Sequence, residues 1–327
     1  MPSTTETPSA GPPLPVYFIG HAGATLLFRE DPNSVVVRRN LRAIGREIQA
    51  IRPAPRAILT LSGHFEASAI HGPGVVEVNV KPATPILHDF VNDFHDTHPE
   101  LYQAEWAHRD APELGTAVWK HLCRAAGTRT TSSTSTTTQH HPIAAPIIVA
   151  KRVERGVDHG LWVPFKVMFP DDGAEEGPLE IPIVQVSTFH GDDLASQVRL
   201  GEALQALRQQ GFLIIGSGMA VHSFASLAEI AAETTDTGRA AARNKVLQES
   251  RALDGHIRAA TALRSADERR EALLALESLY EFKRSHPTVE HFTPLLVAAG
   301  AAGDADVEVL GEDVVEPGFS YVNFRFR

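Results

Sequence analysis

Sixteen histidines stand against four tyrosines and three tryptophans in this chain, and several fall where a side chain can do chemistry. Three close apolar runs beside glycine: Phe18-Ile19-Gly20-His21, Leu61-Ser62-Gly63-His64 and Gly216-Ser217-Gly218-Met219-Ala220-Val221-His222. Neutral imidazole is the commonest metal ligand near pH 7. Three imidazoles, or two with a carboxylate, leave open positions on Fe(II) or Zn(II) for a substrate. Glycines beside them permit tight backbone turns next to a bulky metal complex. His159, preceded by Asp158 and followed by Gly160, is a further candidate, although the same residues suit a plain turn. His286 and His291 are separated by five, so one helix cannot present both on one face, and the His-Glu-x-x-His pair of zincins is absent. One of the two is a candidate ligand from a helix start and the other a bystander.

The elements that must position these residues are legible from periodicity. Residues 16–21 and 57–64 are apolar runs of buried-strand character. Between them, 35–51 has helical spacing through Val37, Leu41, Ile44 and Ile48 and stops before Pro53. Together they form a strand-helix-strand unit, which implies parallel strands. Residues 181–187 and 212–218 read as two more buried strands, joined by an amphipathic helix over 194–210 with Gly211 as its cap. An outer strand is expected over 74–80, and a helix over 113–126 that carries Cys123 as a small buried side chain. Helices are also expected over 238–261 and 266–284, and another that starts at Pro287 and runs through His291 to 299. An alternating last strand covers 320–326. The expected fold is therefore α/β, a single domain with a mainly parallel central sheet flanked by helices. Ligands of such sheets bind beyond the carboxyl ends of the strands. His21, His64 and His222, far apart in sequence, are thus expected to converge on one edge.

Composition narrows the function. A chain of 327 residues with 43% apolar and 21% charged residues buries an ordinary globular core. A net charge of -10 repels phosphate backbones and argues against nucleic acid as a partner. A lone cysteine, Cys123, excludes a disulfide framework within the chain and a cysteine-based zinc finger. No run approaches the roughly 20 apolar residues that span a bilayer. The Ser-, Thr- and Pro-rich start lacks the basic and apolar regions of a signal peptide, so a cytoplasmic location is expected. Residues 1–14 are expected as a disordered tail, and 15–327 as the domain, interrupted by a Thr/Ser-rich insertion at about 128–141. No P-loop and no Gly-x-Gly-x-x-Gly opens a helix, and Gly216-Ser217-Gly218 is not a nucleophile elbow.

Five segments, in order, resemble the class III extradiol ring-cleavage dioxygenases of the LigB superfamily, in the DOPA-dioxygenase-like branch. Phe18-Ile19-Gly20-His21 is similar to the first metal-histidine motif, and Ser62-Gly63-His64-Phe65-Glu66 to the second. The segment from Val157 to Pro164 resembles the family's Asp-His-Gly stretch, and Gly216 to Ser223 its Gly-Ser-Gly-Asn-Val-Val-His-Asn stretch. The segment from His286 to Leu296 resembles the family's Pro-Thr-Pro-Glu-His-Tyr-Leu-Pro-Leu-Leu.

The resemblance implies a catechol-type substrate and O2 as small-molecule partners, and His21, His64 and His291 as ligands of a divalent metal. That metal would be Fe(II) for activity, with Zn(II) as an alternative bound species. It also implies His222 as an acid-base group or a fourth ligand, and His159 with Asp158 at the substrate. A non-enzymatic Memo-like metal-binding protein and a zinc metallohydrolase are the alternatives. The sequence sets no oligomeric state. Departures fall on the pocket wall. Ala22-Gly23-Ala24 replaces Gly-Ser-Pro, Met219 and Ser223 replace asparagines, and the stretch from Leu87 to Phe94 lacks the family's Gly-Phe-Pro.

Overall fold

The computed structural model describes residues 12–90, 94–125, 148–171, 173, 177–191 and 193–327. Of the tail expected over 1–14 only its last three residues are described, and the insertion at 128–141 lies outside the described residues. In chain order the strands are β1 (Val16–Gly20), β2 (Ala57–Ser62), β3 (Val75–Asn79), β4 (Val149–Val153), β5 (Ile183–Gln185), β6 (Phe212–Gly218), β7 (Val221–His222), β8 (Val307–Leu310), β9 (Val315–Glu316), β10 (Phe319–Ser320) and β11 (Asn323–Phe326). The helices are α1 (Pro32–Ala50), α2 (Pro112–Ala125), α3 (His159–Met168), α4 (Leu194–Leu204), α5 (Phe224–Ala232), α6 (Asp236–Thr261), α7 (Ala266–Ala275), α8 (Tyr280–Ser285) and α9 (Thr293–Ala302).

Six strands form the central sheet in the order β5-β2-β6-β1-β11-β8. The first four are parallel neighbours, and β11 and β8 add an antiparallel edge. The parallel strands are buried along their whole length, which is why they read as continuous apolar runs rather than alternating ones. Their side chains still split by twos between the faces. Phe18, Leu59, Leu61 and Ile214 join the core under α4 and α9, whereas Tyr17, Ile19, Ile58, Leu213 and Ile215 join the core under α1 and α3. Helix α1 starts where the Asp31 carboxylate accepts the Ser34 N–H at 3.1 Å, and Pro32 occupies its first turn. Its stripe of Val37, Leu41, Ile44 and Ile48 lies in the second core, as its spacing implies.

Several expectations need correction. The helix over 194–210 is α4 followed by a tighter 3-10 turn over Gln205–Gln210, ended by Gly211 in the left-handed conformation at φ 88°. The helix over 266–284 is two helices separated by a 3-10 turn at Leu276–Ser278. Asp158 and His159 do not form a plain turn; His159 opens α3. The helix through 287–299 starts only at Thr293, so His291 precedes it. The strand over 320–326 is divided: Ser320 pairs in a small sheet with β7 and β9, and Asn323 onward in the main sheet. Strand β3 pairs with β4 in a separate two-stranded sheet. Cys123 is exposed, because Val118 and Leu122 define the inner face of α2 and the next residue turns away from it. Among the described residues no helix is long and apolar enough to cross a membrane.

Candidate metal centre and its cavity

Register brings the histidines together. Gly20 of β1 pairs with Gly218 of β6, and Ser62 of β2 with the adjacent Ser217, so three strands end at one level. The His21 N–H donates to the Gly218 carbonyl at 3.0 Å and the Gly63 N–H to the Ser217 carbonyl at 2.9 Å. His21 and His64 therefore leave the sheet edge side by side, with ring centroids 5.2 Å apart. His291 reaches the same edge from the segment before α9, where its carbonyl accepts the Met219 N–H at 2.8 Å. Gly20, Gly63 and Gly218 do not have positive φ, so their purpose is close approach rather than a tight turn. A Cβ on Gly218 would sit 2.3 Å from the His291 carbonyl oxygen, and one on Gly160 2.6 Å from the His64 ring.

The nitrogens are arranged for a cation. One ligand atom from each of His21, His64 and His291 lies within 4.8 Å of the others. The Nε2 atoms of His64 and His291 are 3.2 Å apart. Two nitrogens at about 2.1 Å from one tetrahedral ion would be separated by about 3.4 Å. The other nitrogen of two of these rings is already committed. His21 Nδ1 donates to the Ala22 carbonyl at 2.6 Å, and His291 Nδ1 to the Glu290 carboxylate at 2.8 Å. Such partners fix the tautomer and leave Nε2 with its lone pair free. His21 Nε2 is buried and has no hydrogen-bond partner among the described residues. Burial pushes His21 down to about 3 and holds His64 and His291 well below the ordinary imidazole range, so all three are neutral near pH 7. Buried polar atoms normally find partners. Three neutral imidazoles facing one point, one with an orphaned nitrogen, fit a divalent metal.

The remaining candidates divide. His222, in β7, stacks flat on His291 with centroids 3.7 Å apart and planes 6° from parallel. It falls outside the tight set of His21, His64 and His291 and groups instead with Glu290 and His291. Burial pushes it down to about 4. The His159 ring lies 4.0 Å from that of His64, and its backbone N–H donates to Asp89 Oδ1 at 2.9 Å. Its Nδ1 is 3.1 Å from the same oxygen, off the line of a good hydrogen bond. Burial opposes the charged form of Asp89, but the neighbouring His159 prevails and holds the carboxyl below its usual range. Asp158, expected at the substrate, is fully buried and faces the protein instead. It accepts from Ser62 Oγ at 2.6 Å and from the Arg155 guanidinium at 2.7 Å, and Arg155 also donates to the His64 carbonyl at 2.7 Å. Asp158 thus steadies the backbone that carries His64. His286 is buried away from the cluster, with Nε2 donating to the Ala220 carbonyl at 2.9 Å.

A cavity of about 620 Å³ opens over the cluster. His21, His64, His159, His222 and His291 all line it. Toward solvent its walls are aromatic: Phe90 sits 5.6 Å from His159 on one side, and Phe319 5.5 Å from His222 on the other. In the cavity lining, beside His21, the buried Ala22 adopts the left-handed region at φ 59°, unusual for a residue with a Cβ. Sequence reasoning assigned no role to Asp89 or Glu290. The first lies 70 residues before its partner, in the stretch from Leu87 to Phe94, which was read only for the Gly-Phe-Pro it lacks although its Asp-Phe pair was there to see. The second is adjacent to His291 in sequence, and an acidic neighbour was the available signal.

Comparison with known proteins gives the family and the fold. The family described as "Catalytic LigB subunit of aromatic ring-opening dioxygenase" matches residues 15–327. A protein of Schizosaccharomyces pombe called "4,5-DOPA dioxygenase extradiol-like protein" is 25% identical over 307 residues, 91% of this chain and 88% of that one. A Beta vulgaris protein called "4,5-DOPA dioxygenase extradiol" is 28% identical over 273 residues, 83% of each chain. The crystal structure of an uncharacterized protein from Escherichia coli K12 shares the fold, with a TM-score of 0.62 and 19% identity over 96% of this chain and all of that one.

Proposed function

Because this chain belongs to the LigB family of aromatic ring-opening dioxygenases, we propose that it opens a catechol-type ring with O2 beside the diol, at one divalent metal held by His21, His64 and His291. The observation that supports this most is the orphaned, buried His21 Nε2, aimed among nitrogens that share one small volume. Held by these three imidazoles, the metal would supply Lewis acidity and, as Fe(II), redox capacity; Zn(II) would supply the Lewis acidity alone.

The chain's own residues do the rest. The two aromatic walls receive the ring and exclude water from the site. His222 is neutral at pH 7 and stands at the cavity beside His291, so it accepts a hydroxyl proton and later returns it. Stacked face to face on His291, it serves as the acid-base group rather than a fourth ligand. The Asp89 carboxylate accepts the His159 backbone N–H and so holds the imidazole over the site, against the His64 ring, where it meets the substrate. The partners of His21 and His291 hold both ligands in the tautomer that the metal requires.

The test is an oxygen electrode. Protein loaded anaerobically with Fe(II) should consume O2 on addition of catechols and form ring-opened product in step, while metal-free protein stays inert. No uptake by the Fe(II)-loaded protein across a panel of catechols refutes the reading.

A further inference from the structure

The outer part of the cavity has a composition that the ring chemistry does not explain. Helix α5 reads Phe-Ala-Ser-Leu-Ala-Glu-Ile-Ala-Ala, yet Ser226 is its one buried residue. Phe224 is 47% exposed and Leu227 36%, and both line the cavity above His222. Phe224 meets His222 edge-on at 5.0 Å and Phe319 edge-on at 5.7 Å. The Phe319–His222 pairing of β10 with β7 fixes this wall to the site. Phe90 and Phe94, edge-on at 5.8 Å, face it from the other side. Exposed apolar side chains gathered at the mouth of a cavity mark a surface that something apolar covers.

Charge points the same way. Arg29 is the one Lys or Arg among the described residues that line this cavity, and its Nε is already 2.9 Å from the Asp31 carboxylate. The acidic residue of the lining, Glu290, is engaged with His291 Nδ1. Among the described residues of the lining an anionic substituent would find only Arg29, whose charge Asp31 already balances, and it would have to lose water against phenyl rings, which is costly. An alkyl or aryl substituent would gain by the same burial.

Resting on the ring-opening reading, we infer that the ring carries an apolar substituent rather than a carboxylate-bearing one, and that Phe224, Leu227 and Phe319 select it. The inference is tested by binding, separately from turnover. Calorimetry on the full chain, without O2, compares 4-propylcatechol with 3,4-dihydroxyphenylpropanoate, and propylbenzene with phenylpropanoate. The second pair reads the wall alone, so it decides this inference even if no catechol is ever opened. The propyl compound should bind at least about tenfold tighter in each pair, a difference of about 1.4 kcal/mol. Leu227→Lys, and independently Phe224→Lys, should shift that ratio at least about tenfold toward the carboxylate. Leu227→Met should keep the wild-type preference. Equal or tighter binding of the propanoates, no detectable binding of either propyl compound, or a ratio unmoved by both lysine variants overturns the inference.

Discussion

The side chain of His108 and the whole of His21 are shut away from solvent, the first with 5% of its side chain exposed and the second with 2% of the residue. Around His108 the protein completes its own network. Nε2 lies 3.0 Å from Thr84 Oγ1, Nδ1 lies 3.1 Å from the Trp106 carbonyl, and Thr84 donates onward to Asp110 at 2.9 Å. The ring also stacks on Trp106 at 4.7 Å. Around His21 one nitrogen is satisfied and the other is left buried and unpaired among the nitrogens of two more imidazoles. Burial alone therefore does not distinguish a structural histidine from a functional one. What distinguishes them is whether the fold supplies a partner for every nitrogen.

The sharpest way to break that comparison is to remove one histidine from each region. His64→Ala should weaken metal binding by more than about 100-fold and abolish turnover, whereas His108→Ala should keep a full complement of metal per folded chain and lose about 1–3 kcal/mol of stability. Plasma emission for metal and urea denaturation for stability separate the two. Metal loss in the His108 variant would erase the distinction.

His222→Ala should retain the metal and lower turnover by about 10²–10⁴-fold, the usual share of one acid-base group. If metal content falls along with turnover, His222 is a ligand. Glu290→Gln keeps the shape of the His291 partner but removes its charge. Metal affinity should fall by about 10–100-fold, read by competition with a chelator. An unchanged affinity would mean that the carboxylate does not tune His291.

His286 stands between the two cases, with Nε2 satisfied and Nδ1 buried without a partner among the described residues. Burial pushes it down to about 4 in the fold, against 6.5 ordinarily. The unfolded chain therefore binds the extra proton between those values. The stability it contributes is complete above about pH 6.5 and is lost as the pH falls toward 4. At pH 5 the loss is on the order of 2 kcal/mol. Because other histidines titrate too, the quantity to measure is the gap in urea stability between the metal-free wild type and His286→Gln. That gap should change by this amount from pH 7 to pH 5; a constant gap would show that burial does not set this group.

Much of the site was legible because parallel strands in register are a strong constraint. Once 16–21, 57–64 and 212–218 read as buried parallel strands, His21 and His64 had to leave at one edge. The choice of His291 over His286 was legible only through the family resemblance, since no periodicity marks the loop that carries it, and Pro287 wrongly suggested that a helix had already begun. The start of α3 at His159 was missed because Asp-His-Gly is turn chemistry locally, and Asp158 was misjudged because its partners Ser62 and Arg155 are tertiary. Helix α5 drew no notice because its apolar residues do not segregate to a buried face. That same feature makes it the wall of the cavity.

The account stands or falls on where an ion sits. Crystals soaked anaerobically in Fe(II), or in Zn(II), and measured at the metal absorption edge should show a single strong anomalous peak within about 2.0–2.2 Å of Nε2 of His21, His64 and His291. A peak bound elsewhere, or bare imidazoles at full metal concentration, would contradict it.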